Sequence, residues 1–194
     1  MRRHHLRRTL ADGVGAFEPG LLAELHRWGV WSLVAQQFHD PDGEPFERTF
    51  VRSPGVVAVV PLLETAQGKH IVMVRQYRPA LDTVLWEIPA GMRDVPGEPL
   101  VDAARRELAE ETGYSGGTWE TLGSIAQSPG MSNSIVHLFL ARGVIPGRAA
   151  PQGPEERRMS VHVVPLTEAV SMVERGEVIN AIAVVGILRA ARLP

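Results

Sequence analysis

GMRDVPGEPLVDAARRELAEETGY, running from Gly91 to Tyr114, is the stretch whose reading decides the fold. Its centre reads as a helix carrying Glu107, Glu110 and Glu111, with Gly113 as the stop. Leu108 and Val101 sit beside the acids at positions suited to a core. At ~100° per residue the three glutamates fall within an arc of roughly 100°, which Leu100 and Ala104 share or border. The acids therefore lie at the edge of the buried stripe and not on the far solvated face.

That placement works against the helix. Glu107 and Glu111 form an i, i+4 like-charge pair with Glu110 beside both, each contact costing ~0.2–0.5 kcal/mol. All three sit in the last two turns, where the helix dipole favours Lys or Arg. A site that holds hard divalent cations through carboxylate oxygens would want this arrangement. Three glutamates alone are also compatible with an ordinary acidic surface helix partnered by Arg105 and Arg106, so the rest of the stretch has to decide.

It resembles the Nudix box, the loop–helix–loop signature of the Nudix hydrolases. Gly91, Glu98, Arg106, Glu107, Leu108, Glu110, Glu111, Gly113 and Tyr114 supply every residue type, and the spacing from Glu98 onward is the family's. One departure stands out: six residues, not five, separate Gly91 from Glu98, an insertion that fits within Val95-Pro96-Gly97. Pro99 suits a first helical position, so the helix should survive the insertion.

At 194 residues the chain fits one ordinary domain with a small appendage. A net charge of −2 gives no basic excess for a nucleic-acid partner, and no apolar run approaches the ~20 residues that span a bilayer. Cysteine is absent, which excludes a disulfide framework and a Cys-ligated zinc and fits a cytoplasmic setting. The start, MRRHHLRR, lacks the apolar segment of a secretory signal and reads as a solvated arm.

Along the chain, Pro19 to Arg27 reads as a short helix that Gly29 stops. Trp31 to His39 and Glu44 to Arg52 read as strands about the turn Asp40-Pro41-Asp42-Gly43. Residues 1–54 thus form an arm, a helix and a hairpin, with Ser53-Pro54-Gly55 as boundary. In 55–194, Val56 to Leu63 is a buried strand and His70 to Arg75 its return. Trp86-Glu87-Ile88 leads into the box. Thr118 to Ile125, Ile135 to Ala141 and Met159 to Val164 are further strands, and helices run near Thr167 to Arg175 and Asn180 to Ala191. This is an α/β pattern, and the resemblance independently implies an α/β/α sandwich on a mixed sheet with a small N-terminal strand layer.

Three more segments resemble the ADP-ribose pyrophosphatase branch of that family: Val74-Arg75-Gln76-Tyr77-Arg78, Glu87-Ile88-Pro89-Ala90-Gly91, and Ser128-Pro129-Gly130, whose proline lies sixteen residues after Gly113. The likeness covers about residues 30 to 190. It implies a homodimer in which the N-terminal layer lends residues to the partner's nucleoside pocket. Arg75 and Arg78, three apart at a strand end, read as partners of a diphosphate because the guanidinium fork matches phosphate oxygens. Glu87, Pro129, Gly130 and Ser134 complete the expected substrate side. Taken singly these are ordinary features: strand-end charges, an edge acid, a generic turn. Trp28 and Trp31 fit a core or dimer interface better than base stacking.

The chemistry follows from charge. Cations held by Glu107, Glu110 and Glu111 would bridge diphosphate oxygens and acidify a bound water for in-line attack. The resemblance adds the Ala90 carbonyl as a ligand, Mg²⁺ or Mn²⁺ as the ion, and AMP and ribose 5-phosphate as the products from ADP-ribose. Arg106 would orient the glutamates with Glu98 as its partner. The branch places a glutamate in the loop after Ser-Pro-Gly, where alignment puts Ser134, and a serine hydroxyl is no base at neutral pH. Glu110, the activated water itself, or Glu155 and Glu156 of the Pro-rich segment 151–158 would have to act instead. Another nucleotide sugar or a dinucleotide is the enzymatic alternative. A non-catalytic ADP-ribose sensor is the other class, and the intact glutamate set argues against it.

Overall fold

Contacts divide the chain into two units: one takes the residues through Ser53 together with Ser128–Asn133, and the other takes the remainder from Pro54 onward. The computed structural model describes residues 15–193, so the basic arm with its paired histidines lies outside the described residues.

In the first unit, β1 (Glu18–Trp28), β2 (Trp31–His39) and β3 (Pro45–Arg52) form an antiparallel sheet in that order. The helix expected over Pro19 to Arg27 is therefore a strand. Gly29, expected to end a helix, instead takes φ +53 in the two-residue turn that pairs Trp28 with Trp31. The β1–β2 register slips between Pro19 and Leu22 and again between Glu24 and His26. Such bulges erase the alternation that marks a strand in sequence. The β2–β3 turn forms where expected, with Asp40 Oδ1 accepting from the N–H groups of Asp42 (2.9 Å) and Glu44 (2.8 Å). Val51 N–H donates to Met131 (2.9 Å) and Val51 C=O accepts from Asn133 N–H (3.2 Å), which ties the 128–133 loop to β3.

The second unit is built on β4 (Val56–Thr65), β5 (Gly68–Arg78), β6 (Thr83–Glu87), β7 (Ala90–Met92), α1 (Leu100–Thr112), β8 (Thr118–Ala126), β9 (Ile135–Arg142), β10 (Ser160–Pro165), α2 (Leu166–Glu174) and α3 (Ala181–Ala191). The sheet runs β10-β5-β4-β9-β8, with β6 on β5 and β7 on β4. Only β4 and β9 pair in parallel, so the sheet is mixed. Helices cover both faces. Val57 and Val59 pack with Ala104 and Leu108 of α1, while Ala58, Val60 and Leu62 pack with Ile182 and Ile187 of α3 and Met172 of α2. This is the expected α/β/α sandwich. A strand covered on both sides needs no polar face, which is why Val56 to Leu63 reads as an unbroken apolar run.

One feature of the sheet positions the site. β4 and β5 pair only from Leu62/Ile71 to Thr65/Gly68. Beyond that they part, and the freed edges are taken by β7 and β6. Val59 N–H reaches Pro89 O at 2.9 Å, so the lead into the box is held by the sheet itself. No described helix is long and apolar enough to cross a membrane.

Candidate active site

Helix α1 begins after Pro99, which is the N-cap and not the first helical residue, and ends at Gly113 with φ +77. Its apolar side (Ala103, Ala104, Leu108) is buried under the sheet, and Glu111 and Thr112 are buried with it. The glutamates thus occupy the edge of the buried stripe.

Glu111 is 7% exposed, and its Oε2 accepts the Ala90 N–H at 3.1 Å. Burial pushes its carboxyl up to about 8, with Glu107 and Glu156 adding to the rise and the Ala90 N–H and Arg78 opposing it. Glu107 lies against the backbone of Gly91, where a Cβ would fall 2.0 Å from the carboxyl carbon. The box therefore needs glycine there for the close approach of Glu107. Burial also raises Glu107, to about 7; Arg106 pulls it down, while Glu110 and Asp94 push it up.

Arg106 organises the acids. Its Nε and Nη2 donate to the two oxygens of Glu98 (3.1 and 3.0 Å), and its Nη1 donates to Glu107 (2.7 Å) and lies 3.5 Å from Glu110. Nη2 also reaches Asp94 at 3.4 Å. The Glu98 bond foremost holds the guanidinium in its charged form.

On β5, Arg78 is clamped by Glu87: Nε to Oε1 at 2.8 Å and Nη2 to Oε2 at 2.5 Å. Glu87 is 2% exposed, so its charge is paired where it is buried. A cavity of about 540 Å³ brings Arg78 together with Glu107, Glu110, Glu111 and Arg106, and with Glu156 from the Pro-rich segment. Glu155 does not line it.

Arg75 does not join Arg78 there. Residues three apart on a strand point to opposite faces, and Arg75 instead lies with its guanidinium 5.2 Å from the ring centroid of Trp86. The residue that shares the Arg78 face is Gln76, 7% exposed and part of the cavity wall. Sequence reasoning missed it, although its two-residue spacing from Arg78 carries the signal. Asp94 and Gln152 were missed as well. Ser134 is half-buried immediately before β9 and does not line this cavity. Pro129 and Gly130 belong to the first unit, where they line a cavity of about 480 Å³ with Phe38, Phe46 and Arg48. Trp28 and Trp31 stack at 6.5 Å in the same unit.

The donor set suits a hard cation: carboxylates gathered on one wall, Glu111 buried and Glu107 half-buried, both disfavoured as anions by burial until positive charge is supplied. No three His, Cys, Asp or Glu side chains among the described residues already converge as ligands around one point. The oxygens are instead partly engaged by Arg106 and by the Ala90 N–H.

A profile of the NUDIX domain matches residues 53–182. An ADP-ribose pyrophosphatase of Mycobacterium tuberculosis is 37% identical over 164 residues, 84% of this chain and 78% of that one. An ADP-ribose pyrophosphatase of Bacillus subtilis is also 37% identical, over 78% of this chain and 80% of its own length. A solved structure described as an ADP compounds hydrolase shares the fold with a TM-score of 0.74 at 19% identity, covering 90% of this chain and 92% of that one. The profile spans most of the chain, the first relative covers more than three quarters of both sequences, and the box residues sit together in one cavity, so this chain belongs to the Nudix family of hydrolases.

Proposed function

We propose that this Nudix hydrolase cleaves the diphosphate of ADP-ribose or a related nucleoside diphosphate sugar, yielding AMP and ribose 5-phosphate from ADP-ribose. The observation that carries the reading is the shared cavity, in which a clamped arginine faces the box glutamates across space enough for a diphosphate. The two relatives named ADP-ribose pyrophosphatases point to the substrate. Another nucleotide sugar or a dinucleotide would use the same groups.

Each residue has work that follows from its surroundings. Glu87 takes Nε and Nη2 of Arg78, which fixes the guanidinium plane and leaves Nη1 for a phosphate oxygen. Arg106 holds Glu107 and Glu110 in place and lowers the repulsion between them. Glu107, Glu110, Glu111 and the Ala90 carbonyl would hold Mg²⁺ or Mn²⁺. Bound there, the ion supplies positive charge to the diphosphate oxygens and acidifies a water.

Glu156 fills the role for which Ser134 is unsuited. Its carboxylate lines the cavity, and its Oε2 is fixed by the N–H groups of Gln152 (2.6 Å) and Gly153 (3.4 Å). It accepts the proton of the attacking water as the new O–P bond forms. The bridging P–O bond breaks, and its electron pair leaves with the departing phosphate. Attack at either phosphorus gives the same two products.

In this reading the first unit is the dimerisation and nucleoside-side layer of a cytoplasmic homodimer. Exposed Leu21, Leu25 and Trp28 on β1 support the association. The test is release of AMP from ADP-ribose with Mg²⁺, comparing the native chain with Glu111→Gln. The variant should lose about 10³-fold or more in rate, the several kcal/mol that a held cation supplies. A native chain that binds ADP-ribose without turning it over would overturn the assignment.

A further inference from the structure

The segment that delivers Glu156 is fastened to the end of α1 in three places. Ser115 and Ile145 exchange a pair of backbone hydrogen bonds, 3.0 and 2.9 Å. Gly113 and Gly147 then meet backbone to backbone. A Cβ on Gly113 would fall 2.6 Å from the Gly147 carbonyl oxygen, and one on Gly147 would fall 2.8 Å from that of Gly113. Next, Ala150 N–H donates to the Glu110 carbonyl at 2.8 Å. The segment thus runs back along the last turn of the helix, meeting residue 115, then 113, then 110, before it enters the cavity.

The Ala150 bond answers a need of the helix. Carbonyls of a last turn have no partner within the helix, and the one met here belongs to Glu110, a glutamate of the cavity. Pro146, Pro151 and Pro154 restrict the connecting backbone, so a shift at the fastening is carried forward and not absorbed. At the far end, Ser160 pairs with Arg75 on β5. Glu156 is held between these two anchors.

We infer that Gly147 is a positioning residue for catalysis: its missing side chain lets the segment dock on Gly113, and that docking sets where Glu156 meets the substrate. This rests on the role given to Glu156 above. Gly147, unlike Gly113, has no positive φ. Alanine at 147 therefore adds one methyl against the Gly113 carbonyl without straining its own backbone.

The experiment is a double-mutant cycle of Gly147→Ala and Glu156→Gln, read by steady-state AMP release from ADP-ribose and by amide hydrogen exchange. Gly147→Ala should lower kcat about 10²-fold with KM unchanged, the scale on which a misplacement of about 1 Å acts. It should also strip protection from the Ala150 amide while the amides of α1 stay protected. In the Glu156→Gln background the same change should cost nothing further. Losses that multiply, an undiminished kcat, or a protected Ala150 amide would each overturn the inference while leaving the role of Glu156 intact. A fully active Glu156→Gln would overturn that role and the inference with it, yet leave the diphosphatase reading standing on Glu111→Gln. Should Gly147→Ala fail to fold, Ala150→Pro, which deletes the N–H given to Glu110, carries the kinetic arm of the same cycle: it should lower kcat with KM unchanged and cost nothing further beside Glu156→Gln.

Discussion

β1 and β4 are strands of nearly equal length, eleven and ten residues, both rich in branched apolar side chains, and they end in opposite surroundings. Every residue of β1 is exposed, Leu21 at 78% and Leu25 at 55%. On β4, Val57 to Leu62 form six consecutive buried positions. The difference lies in neighbours, because β4 has a strand on each side and helices on both faces, whereas β1 is the outer strand of three. Apolar residues on β4 are therefore a source of stability, whereas those on β1 lie on an exposed edge. Leu62→Ala should cost about 2–5 kcal/mol in chemical denaturation. Leu25→Ala should stay within about 0.5 kcal/mol in the isolated subunit. Leu25→Asp would sharpen the contrast by converting a dimer to monomers in light scattering without lowering the unfolding midpoint of the site-bearing unit. An unchanged mass from a native dimer would remove β1 from the interface.

Charge separates the two units as well. In the first, Glu24 and Arg27 form an exposed ion pair, of the kind that contributes little. In the second, Glu107 and Glu111 are raised from 4.5 to about 7 and about 8 by burial. The folded state then binds more protons than the unfolded one across that interval. Stability fully present below about pH 4.5 should be lost as pH rises through 7 and 8. Thermal unfolding in a chelator should show this decline. Glu111→Gln should flatten it while abolishing AMP release, and added Mg²⁺ should restore the native midpoint at pH 8. A chelated chain whose midpoint stays level from pH 5 to pH 8 would mean that the site glutamates are not the acids governing stability.

What the sequence shows on its face divides along the same line. The box helix was legible because its pattern is local: glutamate spacing, Gly113 as stop, and the apolar stripe all lie within a few turns. Gly91 was legible as a motif position, but its reason, the carboxyl of Glu107 lying against it, appears only in three dimensions. β1 misled because Leu21, Leu22, Leu25 and Trp28 recur at helix-like intervals once two bulges have displaced the alternation. Glu156 was visible only as one acid in a Pro-rich loop, since the segment leading to it is fastened by contacts between residues 30 to 40 positions apart along the chain. Ser134 drew attention through alignment with a loop that does not line the cavity.

The smallest predicted effect concerns two arginines on one strand. Arg75 and Arg78 carry the same charge at the same strand end, and the sequence gives no reason to part them unless their spacing is counted against a period of two. Arg78 is paired to buried Glu87 and faces the glutamates, whereas Arg75 is exposed over Trp86. Removing Arg78 outright would leave the Glu87 charge buried and unpaired, so lysine is the cleaner probe: it keeps a cation for Glu87 and loses the fork. Arg78→Lys should lower kcat/KM for ADP-ribose by roughly tenfold or more, the value of a charge-assisted hydrogen bond. Arg75→Ala gives up only an exposed stacking contact and should leave kcat/KM within about twofold. A loss at Arg75 equal to that at Arg78 would mean that the substrate reaches both faces of β5, and the division between a working face and a structural face of this strand would not hold.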